Sequence, residues 1–242
     1  MKTRFQALIA LPKRKTKMKK IAVVAAMAKE YELLAKYLGK SVKTDLYGDF
    51  VVNEYVVGDK EIYFINSGVG EICAAAATQY VLLKYGVEAV FNFGLAGGVS
   101  DESKIGGLYL VSGVVHYDFD TSALDGTCRG QYENGVSPVY STDEALRKAV
   151  KNIFPDMKEG VCASGDKFVA DENFKKGLKK EFNASVCEME AAGIYFTAKN
   201  AGVPCLIIKA VSDEASAEDY SSFITRLNDD YGKMLKILVE KL

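Results

Sequence analysis

The chain has 242 residues, of which 49% are hydrophobic, and this is enough for the core of one large α/β domain. Its charge is unevenly placed, because residues 1–20 hold eight of the 31 lysines and arginines and none of the 32 acidic residues. The rest of the chain therefore carries a formal charge of −9. This argues against nucleic acid as the main partner, since a phosphate backbone requires a basic surface.

Residues 1–20 form a distinct basic segment. Their apolar run, residues 5–11, is too short to span a bilayer and lacks the small-residue pattern of a signal-peptide cleavage site. We expect a poorly ordered extension over residues 1–20, the alternative being a tail that binds a membrane surface or nucleic acid. Residues 21–242 are expected to form a single domain without a membrane partner.

Five cysteines and one histidine limit the chemistry that the chain can perform. The cysteines lack a C-x-x-C pair and lie mostly in apolar runs, so we expect reduced core cysteines in a cytoplasmic protein. His116 is the only histidine, which leaves little basis for a histidine metal site or a Ser-His-Asp triad. No metal and no cofactor is expected, and carboxylates, hydroxyls and backbone groups must carry the chemistry.

Strands and helices alternate through the first half of the chain. Periodicity and turn residues predict, in order, strand 21–26, helix 31–38, hairpin 50–66, helix 71–85 and strand 87–93. Glycine-rich loops at 67–70 and 94–98 follow predicted strands and allow a ligand to approach the backbone, although neither matches a dinucleotide or P-loop motif. Glu30 lies in the loop or first helical turn after the first strand, where an acid can simply favour the positive helix end.

The second half continues the alternation. The sequence predicts strand 107–115, an irregular stretch over 116–138, helix 142–154 capped by Thr142, strand 160–164, helix 191–200, strand 205–211 and helix 219–242. The irregular stretch is long for a compact domain, so it is expected to cover a site or contact a partner. Phe168 follows a strand and is suited either to stacking on a planar ring or to the core.

The stretch 186–213 concentrates acidic groups beside apolar surface. Glu188 and Glu190 precede a predicted helix, and Asp213 stands where a nearly apolar strand ends. In open α/β sheets, the crevice outside the carboxyl ends of the strands binds ligands. These carboxylates are therefore candidates for acid chemistry.

Seven short motifs occur in order between about residue 21 and residue 242. They are Ala26-Met27-x-x-Glu30, Ser67-Gly68-Val69-Gly70, Gly94-x-Ala96-Gly97-Gly98, Asp118-x-Asp120, Ser164-Gly165-Asp166-x-Phe168, Glu188-Met189-Glu190-Ala191 and Ala210-Val211-Ser212-Asp213. Together they resemble the purine nucleoside phosphorylase/uridine phosphorylase superfamily, and specifically its 5′-methylthioadenosine/S-adenosylhomocysteine nucleosidase branch. The resemblance implies a three-layer α/β/α fold with a central mixed, mostly parallel twisted sheet.

The resemblance also implies an activity, the hydrolysis of the N-ribosidic bond of 5′-methylthioadenosine and S-adenosylhomocysteine. Asp213 is similar in position to the family's proton donor to adenine N7, and Glu30 matches the general base that deprotonates the attacking water. Glu190 matches the residue that binds the ribose hydroxyls. A proton donor must keep its proton near neutral pH, which the apolar run 206–208 and the Ser212 hydroxyl would favour.

Further site residues are implied by the same resemblance. Those expected to contact the substrate are Phe168, which stacks on adenine, the backbone of Val169 at the adenine edge, Met189 beside the sugar, and Gly97, Ala96, Met27, Ser212 and Glu188. Thr121 and Leu124 are implied to reach into the neighbouring site of a homodimer. The expected partners are therefore a small purine nucleoside and a second copy of the chain.

Two residues depart from the family pattern. Many members have serine where this chain has Leu95. Arginine is common where this chain has Lys209, so a planar guanidinium group is replaced by a compact ammonium group.

One alternative activity is that of a phosphorylase, which needs cations and backbone donors around phosphate. Lys29 and Lys209 favour this alternative, whereas Glu30 would repel the anion. The other alternative is a non-catalytic nucleoside-binding member of the fold.

Overall fold

The computed structural model describes residues 18–213 and 229–242. Its strands are β1 (Lys20–Ala25), β2 (Lys43–Tyr47), β3 (Phe50–Val57), β4 (Lys60–Asn66), β5 (Ala89–Gly98), β6 (Leu108–His116), β7 (Tyr140–Ser141), β8 (Lys158–Ser164), β9 (Ala184–Glu188) and β10 (Cys205–Asp213). Its helices are α1 (Ala28–Leu38), α2 (Glu71–Tyr85), α3 (Ser122–Asp125), α4 (Glu144–Ile153), α5 (Glu172–Phe182), α6 (Ala191–Asn200) and α7 (Asp229–Lys241).

The described strands form one mixed sheet, in the order β10-β6-β8-β9-β5-β1-β4-β3-β2, with β7 beside β6. Because β10 pairs with β5 as well as with β6, the strands β10, β6, β8, β9 and β5 close into a ring. Helices α2 and α6 pack on one apolar face of the sheet, and α1, α4 and α7 pack on the other. The predicted α/β/α architecture with a mixed sheet is confirmed.

Three parallel strands, β1, β5 and β10, run through the centre of the protein. Every residue of β10 is buried, as are nearly all residues of β1 and β5, so these strands need apolar side chains on both faces. This requirement explains the continuous apolar runs in the sequence. The parallel direction brings the carboxyl ends of the three strands to the same edge of the sheet.

Two predicted strand ends are wrong. Residues 94–98, predicted as a glycine loop, continue β5 because they pair with β10 and, at Gly97 and Gly98, with β9. The predicted strand 205–211 continues to Asp213, which pairs with Gly97 after a local register shift. Extended backbone thus leads directly into the site, where the sequence favoured loops.

The predicted cap of α4 is also wrong. Asp143 caps this helix, its side chain accepting a hydrogen bond from Leu146 N at 2.8 Å. The Thr142 hydroxyl instead donates to Val111 O at 2.6 Å and so ties the helix entrance to β6. Five elements, β2, α3, β7, α5 and β9, were not predicted. β2 is an exposed edge strand, α5 is rich in lysine, and α3, β7 and β9 are at most five residues long.

Several predictions concern segments beyond the described part of the chain. These are residues 1–17 of the basic extension and the predicted final helix before residue 229. None of the helices in the described ranges is long and apolar enough to cross a bilayer. All five cysteines are free, and the core location is confirmed for Cys162, Cys187 and Cys205 but wrong for the exposed Cys73 and Cys128.

Close contact between α6 and the start of α2 gives a test of the packing. A Cβ at Gly193 would lie 2.4 Å from the backbone oxygen of Glu71, so the backbone would have to move. We expect Gly193→Ala to lower the free energy of unfolding, measured in urea, by about 1–3 kcal/mol. Gly177→Ala is the matched control in α5, where nothing lies within 4 Å, and it should raise stability by about 0.5–1 kcal/mol. Equal effects of the two variants would contradict the packing described.

Candidate active site

A cavity of about 190 Å³ lies at the edge of the sheet where β1, β5 and β10 end. The predicted site residues that line it are Met27, Glu30, Ala96, Gly97, Phe168, Glu188, Met189, Glu190, Ser212 and Asp213. Ala26, Val69, Leu95 and Cys187 complete the lining. Among these described residues, four are carboxylates and none is a lysine or arginine.

The other predicted site residues lie outside this cavity. Val169 is buried in a smaller adjoining recess that shares Phe168 and Asp213 with the cavity. Thr121 and Leu124 lie at the short helix α3 and do not line the cavity of their own chain. Leu124 is 88% exposed, and its contribution to a neighbouring subunit stays a prediction.

Glu30 is held by three backbone N–H groups from two elements. One carboxylate oxygen accepts from Ala26 N at 3.1 Å and Met27 N at 3.0 Å, and the other accepts from Leu95 N at 2.8 Å. Burial raises the pKa of Glu30, while the charge of Lys209 and these hydrogen bonds oppose the rise. Glu30 therefore does more than favour its helix terminus, because it joins α1 to β5 at the cavity wall.

Glu188, which lines the cavity, forms a buried ion pair with Lys209. The Lys209 Nζ lies 2.7 Å from Glu188 Oε2, and both side chains are almost fully buried. Burial lowers the pKa of Lys209, but the neighbouring groups, first of all Glu188, raise it above its ordinary value, so the ammonium persists. Glu188 also accepts from Glu190 N at 3.1 Å and Ala191 N at 2.9 Å, which caps α6.

Glu190 stands at the start of α6 and reaches the first glycine-rich loop. Its Oε1 accepts from Gly70 N at 3.0 Å, and the φ of +100° at Gly70 is readily available only to glycine. Burial and the charge of Glu188 raise the pKa of Glu190 to about 7. This carboxyl group thus changes its charge close to neutral pH.

Asp213 ends β10 and is 2% exposed. Its Oδ2 accepts from Ser212 Oγ at 3.0 Å, as expected, and its Oδ1 lies 3.7 Å from the Nζ of Lys175 in α5. A Cβ at Gly97 would come within 3.3 Å of the same Oδ1, so glycine keeps this space open. The surroundings are therefore not only apolar, and Lys175 escaped the sequence reasoning because α5 itself was not predicted.

Glu71 is a further buried acid that the sequence reasoning missed. Its carboxyl group accepts hydrogen bonds from Ser164 Oγ and from Gly193 N, at the start of α6. Burial, with the charges of Glu188 and Glu190, raises the pKa of Glu71 to about 8. The signal available in the sequence was an acid directly after the first glycine-rich loop, which is also the usual position of a helix N-terminal acid.

The fold and the cavity together define an α/β protein of the nucleoside phosphorylase-like class. Residues 20–240 match a family model described as the phosphorylase superfamily. An aminodeoxyfutalosine nucleosidase of Helicobacter pylori is 31% identical over 230 residues, which cover 92% of this chain and 99% of that protein. A 5′-methylthioadenosine/S-adenosylhomocysteine nucleosidase of Actinobacillus succinogenes is 32% identical over 209 residues, covering 84% of this chain and 90% of the relative.

Solved structures agree with this match. The 5′-methylthioadenosine/S-adenosylhomocysteine nucleosidase of Neisseria meningitidis, in complex with methylthio-immucillin-A, is 30% identical with a TM-score of 0.84. The similarity covers 93% of this chain and 100% of that one. The chain belongs to the phosphorylase superfamily, as its motifs indicated. It is an enzyme of the N-glycosyl hydrolase type, as predicted.

The pKa of Glu71 gives a prediction about pH and stability. The folded-state pKa is about 8 and the ordinary value is 4.5. The contribution of Glu71 to the free energy of unfolding is therefore fully present below about pH 4.5 and is lost as the pH rises to about 8. Glu71→Gln stays neutral, and its amide oxygen can still accept one of the two hydrogen bonds that Glu71 accepts. Between pH 5 and 8 the free energy of unfolding of the wild type should fall. We expect the fall in Glu71→Gln to be smaller by on the order of 1–3 kcal/mol.

The measurement is urea denaturation at several pH values. Glu133→Gln, a change at an exposed glutamate, is the control and should follow the wild-type profile. Parallel profiles for the wild type and Glu71→Gln would contradict the assignment of a proton to buried Glu71.

Proposed function

We propose that the enzyme hydrolyses the N-ribosidic bond of 5′-methylthioadenosine and S-adenosylhomocysteine and releases adenine. The observation that supports this most strongly is that the carboxyl groups of Glu30, Glu190 and Asp213 line one cavity. They come from three separate segments of the chain. The reaction needs three kinds of help that carboxyl groups can provide, namely protonation of the base, stabilisation of the sugar cation and activation of water.

Asp213 is the proposed proton donor. Adenine is a poor leaving group as an anion, so a proton placed on N7 lowers the barrier, and general-acid help is typically worth about 10²–10⁴ in rate. The Ser212 hydroxyl fixes one oxygen of Asp213 at 3.0 Å. Phe168, which is 45% exposed at the mouth of the cavity, would stack on the adenine, and the Val169 backbone would contact its edge.

Glu190 is proposed to bind the ribose hydroxyls. Positive charge grows on the sugar ring as the bond breaks, and a buried carboxylate close to that charge stabilises the transition state more than the ground state. Its pKa of about 7 means that the ionised form becomes dominant above neutral pH. The Gly70 N–H holds one oxygen in place, and Met189 lines the cavity beside it.

Glu30 is the proposed base for the attacking water. Three backbone N–H groups occupy part of its acceptor capacity, and a carboxylate with about four lone-pair sites can still accept one hydrogen bond from water. The raised pKa of Glu30 makes the group a better proton acceptor than an exposed glutamate.

The charge of the lining favours water over phosphate as nucleophile. The described residues that line the cavity include four carboxylates and neither lysine nor arginine, so a phosphate dianion would be repelled. Lys29 is exposed, and Lys209 is paired with Glu188. Neither of the two lysines that favoured a phosphorylase is placed to hold a phosphate in this cavity.

An aminodeoxyfutalosine-type nucleoside is a second candidate substrate. The 31% identical relative from Helicobacter pylori, which this chain covers almost completely, supports it. The proposed residues act on the base and the ribose, so they serve either 5′ substituent.

We further propose that the protein is cytoplasmic and forms a homodimer in which Thr121 and Leu124 extend the neighbouring cavity. The strong exposure of the apolar side chains of Leu124 and Val69 supports the dimer contact.

Two substitutions test the roles of the carboxyl groups. Asp213→Asn removes the transferable proton at nearly constant shape, and we expect turnover of 5′-methylthioadenosine to fall about 10²–10⁴-fold with folding retained. Glu30→Gln should lose hydrolysis to a similar degree and still bind substrate, because it lacks only the base. Adenine release and equilibrium binding of the nucleoside are the measurements. Wild-type turnover in either variant would refute the role assigned to that residue.

The identity of the nucleophile is tested separately. We expect adenine release at the same rate with and without inorganic phosphate, and free methylthioribose as the sugar product. Chromatography of the products with mass detection distinguishes this sugar from its 1-phosphate. Turnover that requires phosphate and yields the 1-phosphate would establish a phosphorylase instead. The same assay with S-adenosylhomocysteine and aminodeoxyfutalosine ranks the 5′ substituents.

A further inference from the structure

Lys175 is a buried ammonium close to the proposed proton donor. It is 3% exposed, and its Nζ lies 3.7 Å from Asp213 Oδ1. Among the residues that the structure describes, no hydrogen-bond partner is found for this Nζ. Burying an ammonium with unsatisfied donors is costly, so a site that merely fills space would be better served by an apolar side chain.

Lys175 lies on the buried face of α5. Leu178 and Phe182, one and two turns further along, are buried on the same side of the helix as Lys175. The spacing marks position 175 as part of the apolar face that packs on β8 and β9. A lysine there places its charge beside Asp213, which lines the cavity.

Among the described groups that face Lys175, Asp213 is the charged partner. Asp213 approaches from β10 and Cys187 from β9, and Gly97 on β5 lacks a Cβ, which would lie 3.6 Å from the Nζ. Burial raises the pKa of Cys187 to about 12, so this thiol stays neutral. Within the described residues, Asp213 is therefore the carboxylate that the Lys175 charge acts on most directly.

We propose that Lys175 is a positioning residue for purine release, acting through Asp213. When the proton moves from Asp213 to the purine nitrogen, negative charge develops on this carboxylate, and a fixed ammonium 3.7 Å away stabilises it. This inference rests on the proposed function, in which Asp213 is the acid.

The proton and electron balance is simple. The electrons of the bond between the sugar carbon and the purine nitrogen pass to the purine, which receives the proton of Asp213 and leaves as neutral adenine. Water forms the new bond to the sugar carbon and gives its proton to Glu30. Lys175 keeps its proton throughout. Before the next turnover Glu30 releases its proton to solvent and Asp213 regains one from solvent.

This role predicts a specific kinetic effect. Removing the charge should lower kcat, because the carboxylate that forms during the reaction loses its counter-ion. Binding of the nucleoside should be unchanged, because Lys175 is not among the residues that line the cavity. If Lys175 only supported packing, its loss would not lower kcat selectively, and an arginine that keeps the charge would not preserve kcat.

The experiment compares Lys175→Met, Lys175→Arg and Lys176→Met in adenine release from 5′-methylthioadenosine between pH 5 and 10. Lys176 is the exposed neighbour in α5 and serves as the matched control. We expect Lys175→Met to lower maximal kcat by about 10–100-fold. We also expect equilibrium binding of the nucleoside to Lys175→Met to match that of the wild type. Lys175→Arg should keep most of the wild-type kcat, and Lys176→Met should match the wild type.

Each outcome bears on the inference. If the wild type releases adenine and Lys175→Met shows the same kcat as Lys176→Met, the inference falls and the proposed function stands. If the wild type releases no adenine from the nucleosides tested, the proposed function falls and takes the inference with it. Should Lys175→Met fail to fold, Lys175→Gln supplies the neutral variant, and a wild-type kcat there overturns the inference equally.

Discussion

The charge balance around Lys209 is the constraint on which the site depends. Glu188 is paired with this buried ammonium at 2.7 Å, and its remaining acceptor capacity binds the backbone at the start of α6. The ammonium also opposes the rise in pKa that burial causes at Glu30 and Glu190. Removing one partner of such a pair leaves an uncompensated buried charge, which is strongly destabilising. The cavity can therefore keep several acids at its wall because one cation lies behind them.

The sheet supplies the rest of the geometry. Parallel β1, β5 and β10 end at one edge, so residues 30, 97 and 213 meet although they are far apart in sequence. Backbone N–H groups, rather than other side chains, hold Glu30 and Glu190. Such donors are fixed by the fold and need no reorganisation when charge changes during the reaction.

Much of this arrangement was predictable from the sequence, and the exceptions have physical causes. Continuous apolar runs identified the central strands, and short motifs identified Glu30, Glu190 and Asp213 as a set. The extension of β5 over residues 94–98 was missed because glycines favour loops unless neighbouring strands pair with them. Lys175 was missed because α5 was not predicted, so its place on one helix face with Leu178 and Phe182 went unrecognised. Side-chain burial of this kind is decided by tertiary packing.

The central claim is that one nucleoside binds with its base at Asp213 and its ribose at Glu190. A crystal structure of the Asp213→Asn variant with 5′-methylthioadenosine tests it most directly. The account predicts N7 within about 2.6–3.2 Å of the side chain at position 213, the ribose hydroxyls on Glu190 and a water on Glu30. A nucleoside bound elsewhere, or bound with its sugar at position 213, would contradict it.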